Sequence, residues 1–90
     1  MLNVFLTAKF KKDLDRAKRR GYNITLLEDV VDMLAKGQKL DARYKDHALQ
    51  GKYAGCRECH ITPDWLLIYK IIKNEVVLLL SRTGTHSDVF

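Results

Sequence analysis

Ninety residues make one domain at most, with room for a modest core. A hydrophobic content of 47% with one proline and five glycines excludes a disordered or low-complexity chain, and the net charge of +5 lies entirely within residues 9–20. The longest apolar runs, Trp65–Tyr69 and Val76–Leu80, are too short to span a bilayer, and no basic leader opens the chain, so a cytoplasmic protein with reduced cysteines is expected.

Leu2 to Leu6 reads as a short strand. Thr7 is a good helix N-cap, and Phe10, Leu14 and Ala17 follow at helical spacing. The other positions carry Lys9, Lys11, Lys12, Arg16, Lys18, Arg19 and Arg20 against only Asp13 and Asp15. A field this localised favours a polyanion, nucleic acid being the commonest, although a solvated helix face has the same composition. Gly21 is placed to end the helix. Thr25-Leu26-Leu27-Glu28 fits a capping box for a second helix, whose apolar face is Leu27, Val30, Val31 and Leu34 and whose stop is Gly37. So short a turn between two helices predicts an antiparallel hairpin.

Residues 38–53 are polar and aperiodic, and predict a long ordered loop with one helical turn at Asp41–Tyr44. Strands are predicted from Arg57 to Thr62, from Trp65 to Ile72 and from Val76 to Ser81, with turns at Thr62-Pro63-Asp64 and Lys73-Asn74-Glu75. The order β-α-α-β-β-β gives a single α+β domain over residues 1–90, a helical hairpin packed on a small, mostly antiparallel sheet.

Cys56-Arg57-Glu58-Cys59-His60 matches the string C-x-x-C-H. Side chains alternate along a strand, so Cys56 and Cys59 point to opposite faces and cannot share a metal or a haem. The same alternation puts Glu58 and His60 on one face, where a carboxylate can fix the imidazole tautomer. Asp64-Trp65 reads either as a turn residue and a core aromatic, or as a cleft aspartate beside a base-stacking ring. Arg82-Thr83-Gly84-Thr85-His86 offers a cation for phosphate and a proton donor, or a frayed terminus. His47 gains interest only in company with the other two histidines. Three histidines, carboxylates, an arginine and a basic helix fit metal-free RNA cleavage, which needs a base, an acid and a cation for the phosphorane.

The runs Tyr44-Lys45-Asp46-His47-Ala48-Leu49-Gln50-Gly51, Arg57-Glu58-Cys59-His60-Ile61-Thr62-Pro63-Asp64-Trp65 and Arg82-Thr83-Gly84-Thr85-His86-Ser87 resemble the YafQ branch of the RelE/ParE toxin superfamily. The resemblance is specific over residues 44–90. Before that it rests on element order and a basic helix. It implies a RelE-like, microbial-ribonuclease-like fold and a type II toxin that cuts mRNA on the ribosome, held in check by a cognate antitoxin. Its implied catalytic residues are His47, His60, Asp64 and His86, with Glu58, Trp65, Arg82 and Phe90 in support. His86 is the implied acid and His60 or Asp64 the base, while Arg82 steadies the phosphorane and Trp65 or Phe90 meets a base. No metal or cofactor is implied. Ribosomal RNA would be met by Lys9, Lys11, Lys12, Arg16, Arg19 and Arg20, and DNA only through the antitoxin complex. Glu58 departs from the pattern, where Asp is common, and keeps the charge with a longer reach. The RelE branch uses a Lys/Arg/Tyr-based site instead. Two other readings stand beside this one: a non-catalytic nucleic-acid-binding partner of an antitoxin, and a ParE-like toxin directed at gyrase.

Overall fold

The computed structural model describes residues 1–90. In chain order the elements are β1 (Asn3–Leu6), α1 (Ala8–Arg19), α2 (Ile24–Ala35), β2 (His47–Ala48), β3 (Arg57–Thr62), β4 (Trp65–Ile72), β5 (Val77–Gly84) and α3 (His86–Val89). Single 3-10 turns occupy Ala42–Tyr44, Gly51–Tyr53 and Lys73–Glu75.

The helix signals act locally. The Thr7 hydroxyl accepts from the Phe10 N–H at 3.0 Å and donates to the Ser81 carbonyl at 2.8 Å, so the cap also ties α1 to β5. Gly21 stands at φ +79°, and the Tyr22 N–H reaches back to the Ala17 carbonyl at 3.0 Å, a Schellman ending that requires the left-handed residue. The α2 start differs from expectation. Asn23 is the cap, its side chain accepting from the Thr25 N–H at 3.1 Å, and the helix begins at Ile24. Asn23 satisfies the N–H that a Thr25 box would have left outside the helix, which moves the start forward.

The sheet order is β1-β5-β4-β3-β2, with β1 parallel to β5 and every other pair antiparallel. The expected α+β architecture and its mostly antiparallel sheet are present. Trp65–Tyr69 of β4 is apolar and buried at every position because this interior strand is covered on both faces. Leu67, Tyr69, Leu78 and Leu80 join the helical residues Phe10, Leu27, Val30 and Leu34 in the main core. Leu66 and Ile68 face the other way, against Val89 of α3, with Leu49, Tyr53 and Cys56 around them.

Two further boundaries differ from expectation. β5 starts at Val77, since Val76 adopts a left-handed conformation at the end of the preceding turn, and it continues to Gly84. Arg82, Thr83 and Gly84 stay in the sheet because Ile68, Leu67 and Leu66 pair with them. The long loop also contributes a strand, since His47 and Ala48 pair with Glu58 and Arg57. The helical turn expected there is the one at Ala42–Tyr44. Cys59 lies fully buried in the main core while Cys56 packs on the opposite side, as alternation requires. Burial pushes the Cys59 thiol up to about 12, which makes it inert. No helix is long and apolar enough to cross a membrane.

Candidate active site

The β2–β3 register sets His47 opposite Glu58, and His60 follows two residues along on the same face. Both imidazoles turn their Nε2 atoms to one carboxylate oxygen. His47 Nε2 lies 3.4 Å and His60 Nε2 3.6 Å from Glu58 Oε1, with ring centroids 6.5 Å apart. Glu58 is buried, at 7% side-chain exposure, whereas His60 is 25% and His47 51% exposed. The second carboxylate oxygen, Oε2, is buried with no hydrogen-bond partner.

The opposite edge of each ring faces a carbonyl. His47 Nδ1 is 2.7 Å from the Lys45 oxygen and His60 Nδ1 is 3.3 Å from the Pro63 oxygen. A carbonyl only accepts, so Nδ1 carries the proton and donates. The Nε2 atoms then meet an ionised carboxylate favourably only when they too are protonated. Both separations are longer than a formed N–H···O bond, so the present contact is electrostatic and has room to tighten around a substrate. Three side chains can thus share and exchange a proton at one point.

The segment carrying His47 is anchored by its neighbour. Asp46 accepts from the Tyr69 hydroxyl at 2.5 Å and from the Arg57 guanidinium at 3.0 and 3.2 Å. Burial, and then the bond to Asp46, hold the Tyr69 hydroxyl protonated, and the Asp46 bond raises the Arg57 guanidinium further. Lys45 sits at φ +49°, ψ +41°, uncommon for a residue with a side chain, and that conformation aims its carbonyl at His47. Asp46 belongs to the segment that the sequence marks out, but nothing in a polar loop says which strand it grips.

His86 arrives from the end of β5. Thr85 and Asp88 form a reciprocal capping box for the single turn of α3. Asp88 also accepts from Arg20, the C-cap of α1, at 2.6 and 3.1 Å, and this guanidinium holds its carboxyl well below the usual range. The Tyr53 hydroxyl donates to the Val89 carbonyl at 2.6 Å. Gly84, at φ +147°, lies so close to Asp88 that a Cβ would meet its side chain at 2.8 Å. The exposed Phe90 ring packs 4.7 Å from His86 and edge-on to Tyr53 at 5.4 Å.

His47, Glu58, Ile68 and Arg82 form one row across four strands. At about 4.8 Å per strand, Arg82 lies roughly 14 Å from His47 along the sheet. His60, Leu66 and Gly84 form the neighbouring row, and His86 follows two residues beyond.

Several implied residues stand elsewhere than the resemblance suggested. Arg82 is not free for phosphate: Asp13 accepts from it at 2.6 and 3.1 Å, and it donates to the Asp88 carbonyl at 3.1 Å. Trp65 is 3% exposed, stacks near Tyr22 at 4.9 Å and donates to Thr83 Oγ1 at 2.8 Å, so its face is taken by the core. Asp64 is exposed beside Tyr22 and Asn23, makes no ion pair, and lines a different cavity from the one that His60 borders. Arg16 binds Asp13 at 2.8 Å and Arg20 binds Asp88, whereas Lys9, Lys11, Lys12, Lys18 and Arg19 are exposed and unpaired. Asp13 has no signature in the sequence, because a carboxylate in an otherwise apolar helical stripe leaves no periodic signal.

The chain thus sets a histidine–carboxylate cluster at the β2 edge of a five-stranded mixed sheet that carries two helices. Residues 2–90 match a family model described as the bacterial toxin of type II toxin–antitoxin systems, YafQ. The chain belongs to that YafQ toxin family. It is 38% identical over 85 residues to the mRNA interferase toxin YafQ of Escherichia coli K12, covering 93% of this chain and 90% of that one. A metal-bound toxin from Helicobacter pylori superposes with a TM-score of 0.94 at 46% identity over 100% of both chains. YafQ from the E. coli DinJ–YafQ complex superposes with a TM-score of 0.90 at 35% identity, covering 100% of this chain and 99% of that one.

Proposed function

We propose that this toxin is an endoribonuclease that cleaves mRNA on the ribosome by acid–base attack of the 2′-hydroxyl, without a metal ion. The observation that carries the reading is the convergence of His47 and His60 on one oxygen of buried Glu58. The E. coli relative named an mRNA interferase supports the reaction class.

A neutral imidazole of the cluster takes the proton of the 2′-hydroxyl, and O2′ attacks phosphorus. The bond from phosphorus to O5′ breaks, and His86 gives a proton to the leaving oxygen. The products are a 2′,3′-cyclic phosphate and a 5′-hydroxyl. The protonated histidine left beside Glu58 opposes the phosphorane charge. Because Arg82 is neutralised by Asp13 and linked to Asp88, its part is to hold α3 in place. Phe90 is the exposed ring beside His86 that can meet a base. Asp64 borders a second cavity that shares Leu26 and Thr62 with the one beside His60, and it is the alternative base. One H. pylori relative is described as metal-bound. Every step above uses the chain's own groups.

Lys9, Lys11, Lys12 and Arg19 are free to meet ribosomal RNA. The cognate antitoxin is the protein partner, as DinJ is for the E. coli relative, and DNA is reached only through that complex. Val77–Leu80 of β5 is already paired on both sides, by β1 and β4. The free edges are β1 and β2.

The test is a programmed ribosome carrying an mRNA with one 2′-deoxyribose just 5′ of the cut. Full cleavage of the ribose form and none of the deoxy form is expected. Equal cleavage of both would remove 2′-hydroxyl attack.

A further inference from the structure

We propose that Asp46, Tyr69 and Arg57 are positioning residues for the reaction: together they bolt the His47 segment to the sheet from the face opposite the histidine–carboxylate cluster. The inference rests on the nuclease reading and accounts for how an exposed loop histidine is kept in reacting position.

β2 consists of His47 and Ala48 alone, both exposed, at the open edge of the sheet. Its ladder is two residue pairs with β3, extended by one bond from the Leu49 N–H to the Cys56 carbonyl at 2.9 Å. So short an edge strand pins its own register weakly, and a slip of one residue would turn His47 to the other face. The hold comes from the residue before it.

His47 faces Glu58, and Asp46 reaches the opposite face, where Tyr69 belongs to the main core. There both carboxylate oxygens are engaged. Oδ1 accepts from the Tyr69 hydroxyl at 2.5 Å, and Oδ2 accepts from Arg57 Nε and Nη2 at 3.2 and 3.0 Å. The donors stand side by side on β4 and β3, so the carboxylate is located across the sheet as well as along it. Tyr69 is 1% exposed, and its close-packed ring is a fixed post for the loop. Charge-assisted bonds of this kind are the strong ones.

The hold reaches the imidazole through one carbonyl. Lys45, next to Asp46, is set at φ +49°, and its oxygen accepts from His47 Nδ1 at 2.7 Å. With the proton on Nδ1, the nitrogen presented to Glu58 and to RNA is Nε2. An imidazole released from that carbonyl is free to carry its proton on Nε2, where it cannot act as a base. Asp46, Tyr69 and Arg57 lie on the far face and so act through His47, not on the RNA.

The test uses the full-length protein and two readouts: the ring nitrogen shifts of His47, which report its tautomer, and single-turnover cleavage of mRNA on a programmed ribosome. Wild type should carry the His47 proton on Nδ1. Tyr69→Phe removes one bond and keeps the core ring, and Asp46→Asn keeps an acceptor and drops the charge. Each should move His47 toward the Nε2–H tautomer and slow cleavage roughly tenfold, with ribosome affinity unchanged. Asp46→Ala cuts every bond and should slow it about a hundredfold, the scale of a displacement on the order of 1 Å. If Asp46→Ala does not fold, the two milder variants decide. Wild-type His47 shifts in folded Tyr69→Phe and Asp46→Asn would overturn the proposal, and so would altered shifts with a wild-type rate. Absence of cleavage by the wild type would sink the nuclease reading, while the nitrogen shifts would still judge the bolt.

Discussion

Arg20 and Asp88, 68 positions apart in sequence, meet through two hydrogen bonds of 2.6 and 3.1 Å, and so the basic helix holds the turn that carries His86. Part of the positive segment is therefore structural.

The first prediction is a pH dependence. Arg20 lowers the folded-state pKa of Asp88 below its ordinary 3.8. The contribution of the pair is fully present above that ordinary value. It is lost as the pH falls from there through the depressed folded value. Denaturant unfolding at stepped pH below 4 should show Asp88→Asn losing less stability on acidification than wild type. At neutral pH the variant should cut mRNA more slowly, because its α3 turn is held less firmly. Parallel acid profiles for the two proteins would contradict the assignment.

A second prediction concerns Asp13. Its buried carboxylate accepts from Arg82, Arg16 and the Thr83 N–H. Asp13→Ala leaves the half-buried Arg82 charge without its partner. A loss on the order of 3–5 kcal/mol is expected in urea unfolding, a figure typical of breaking a buried pair from one side. A loss under about 1 kcal/mol, the worth of a surface pair, would show that the network is not what closes α1 onto β5.

The third separates free from engaged cations. Replacing Lys9, Lys11, Lys12 and Arg19 together with Gln should flatten the salt dependence of ribosome binding. The log–log slope should fall by roughly 0.7–0.9 for each phosphate that the variant no longer neutralises. The melting temperature of the variant should stay put. Arg16→Gln and Arg20→Gln should act mainly on stability and on the placement of α3. An unchanged slope in the fourfold variant would take α1 out of the ribosome interface.

Much of the fold was legible in local chemistry. Thr7, Gly21 and Gly37 punctuate the helices at the expected positions, and strand alternation correctly separated Cys59 from Glu58 and His60. What could not be read depends on partners distant in sequence. A two-residue strand has no periodicity, so pairing of His47 with Glu58 is visible only in the sheet. The polar run Arg82-Thr83 reads as a strand end, yet Asp13, 69 and 70 positions away, keeps both residues in the sheet. Trp65 carried two readings, and packing decided for the core one. The motif marked the segments, and tertiary contacts separate the exposed His47 and His86 from Arg82 and Trp65, whose polar groups are engaged in the packing.

The central claim is that His60, poised between Glu58 and the neighbouring cavity, takes part in proton transfer to or from RNA. The most direct measurement is the single-turnover cleavage rate of His60→Ala on a programmed ribosome, with its melting temperature taken alongside. A rate about 10²–10⁴-fold below wild type with unchanged melting is the predicted result. A near wild-type rate in a folded His60→Ala protein would contradict it.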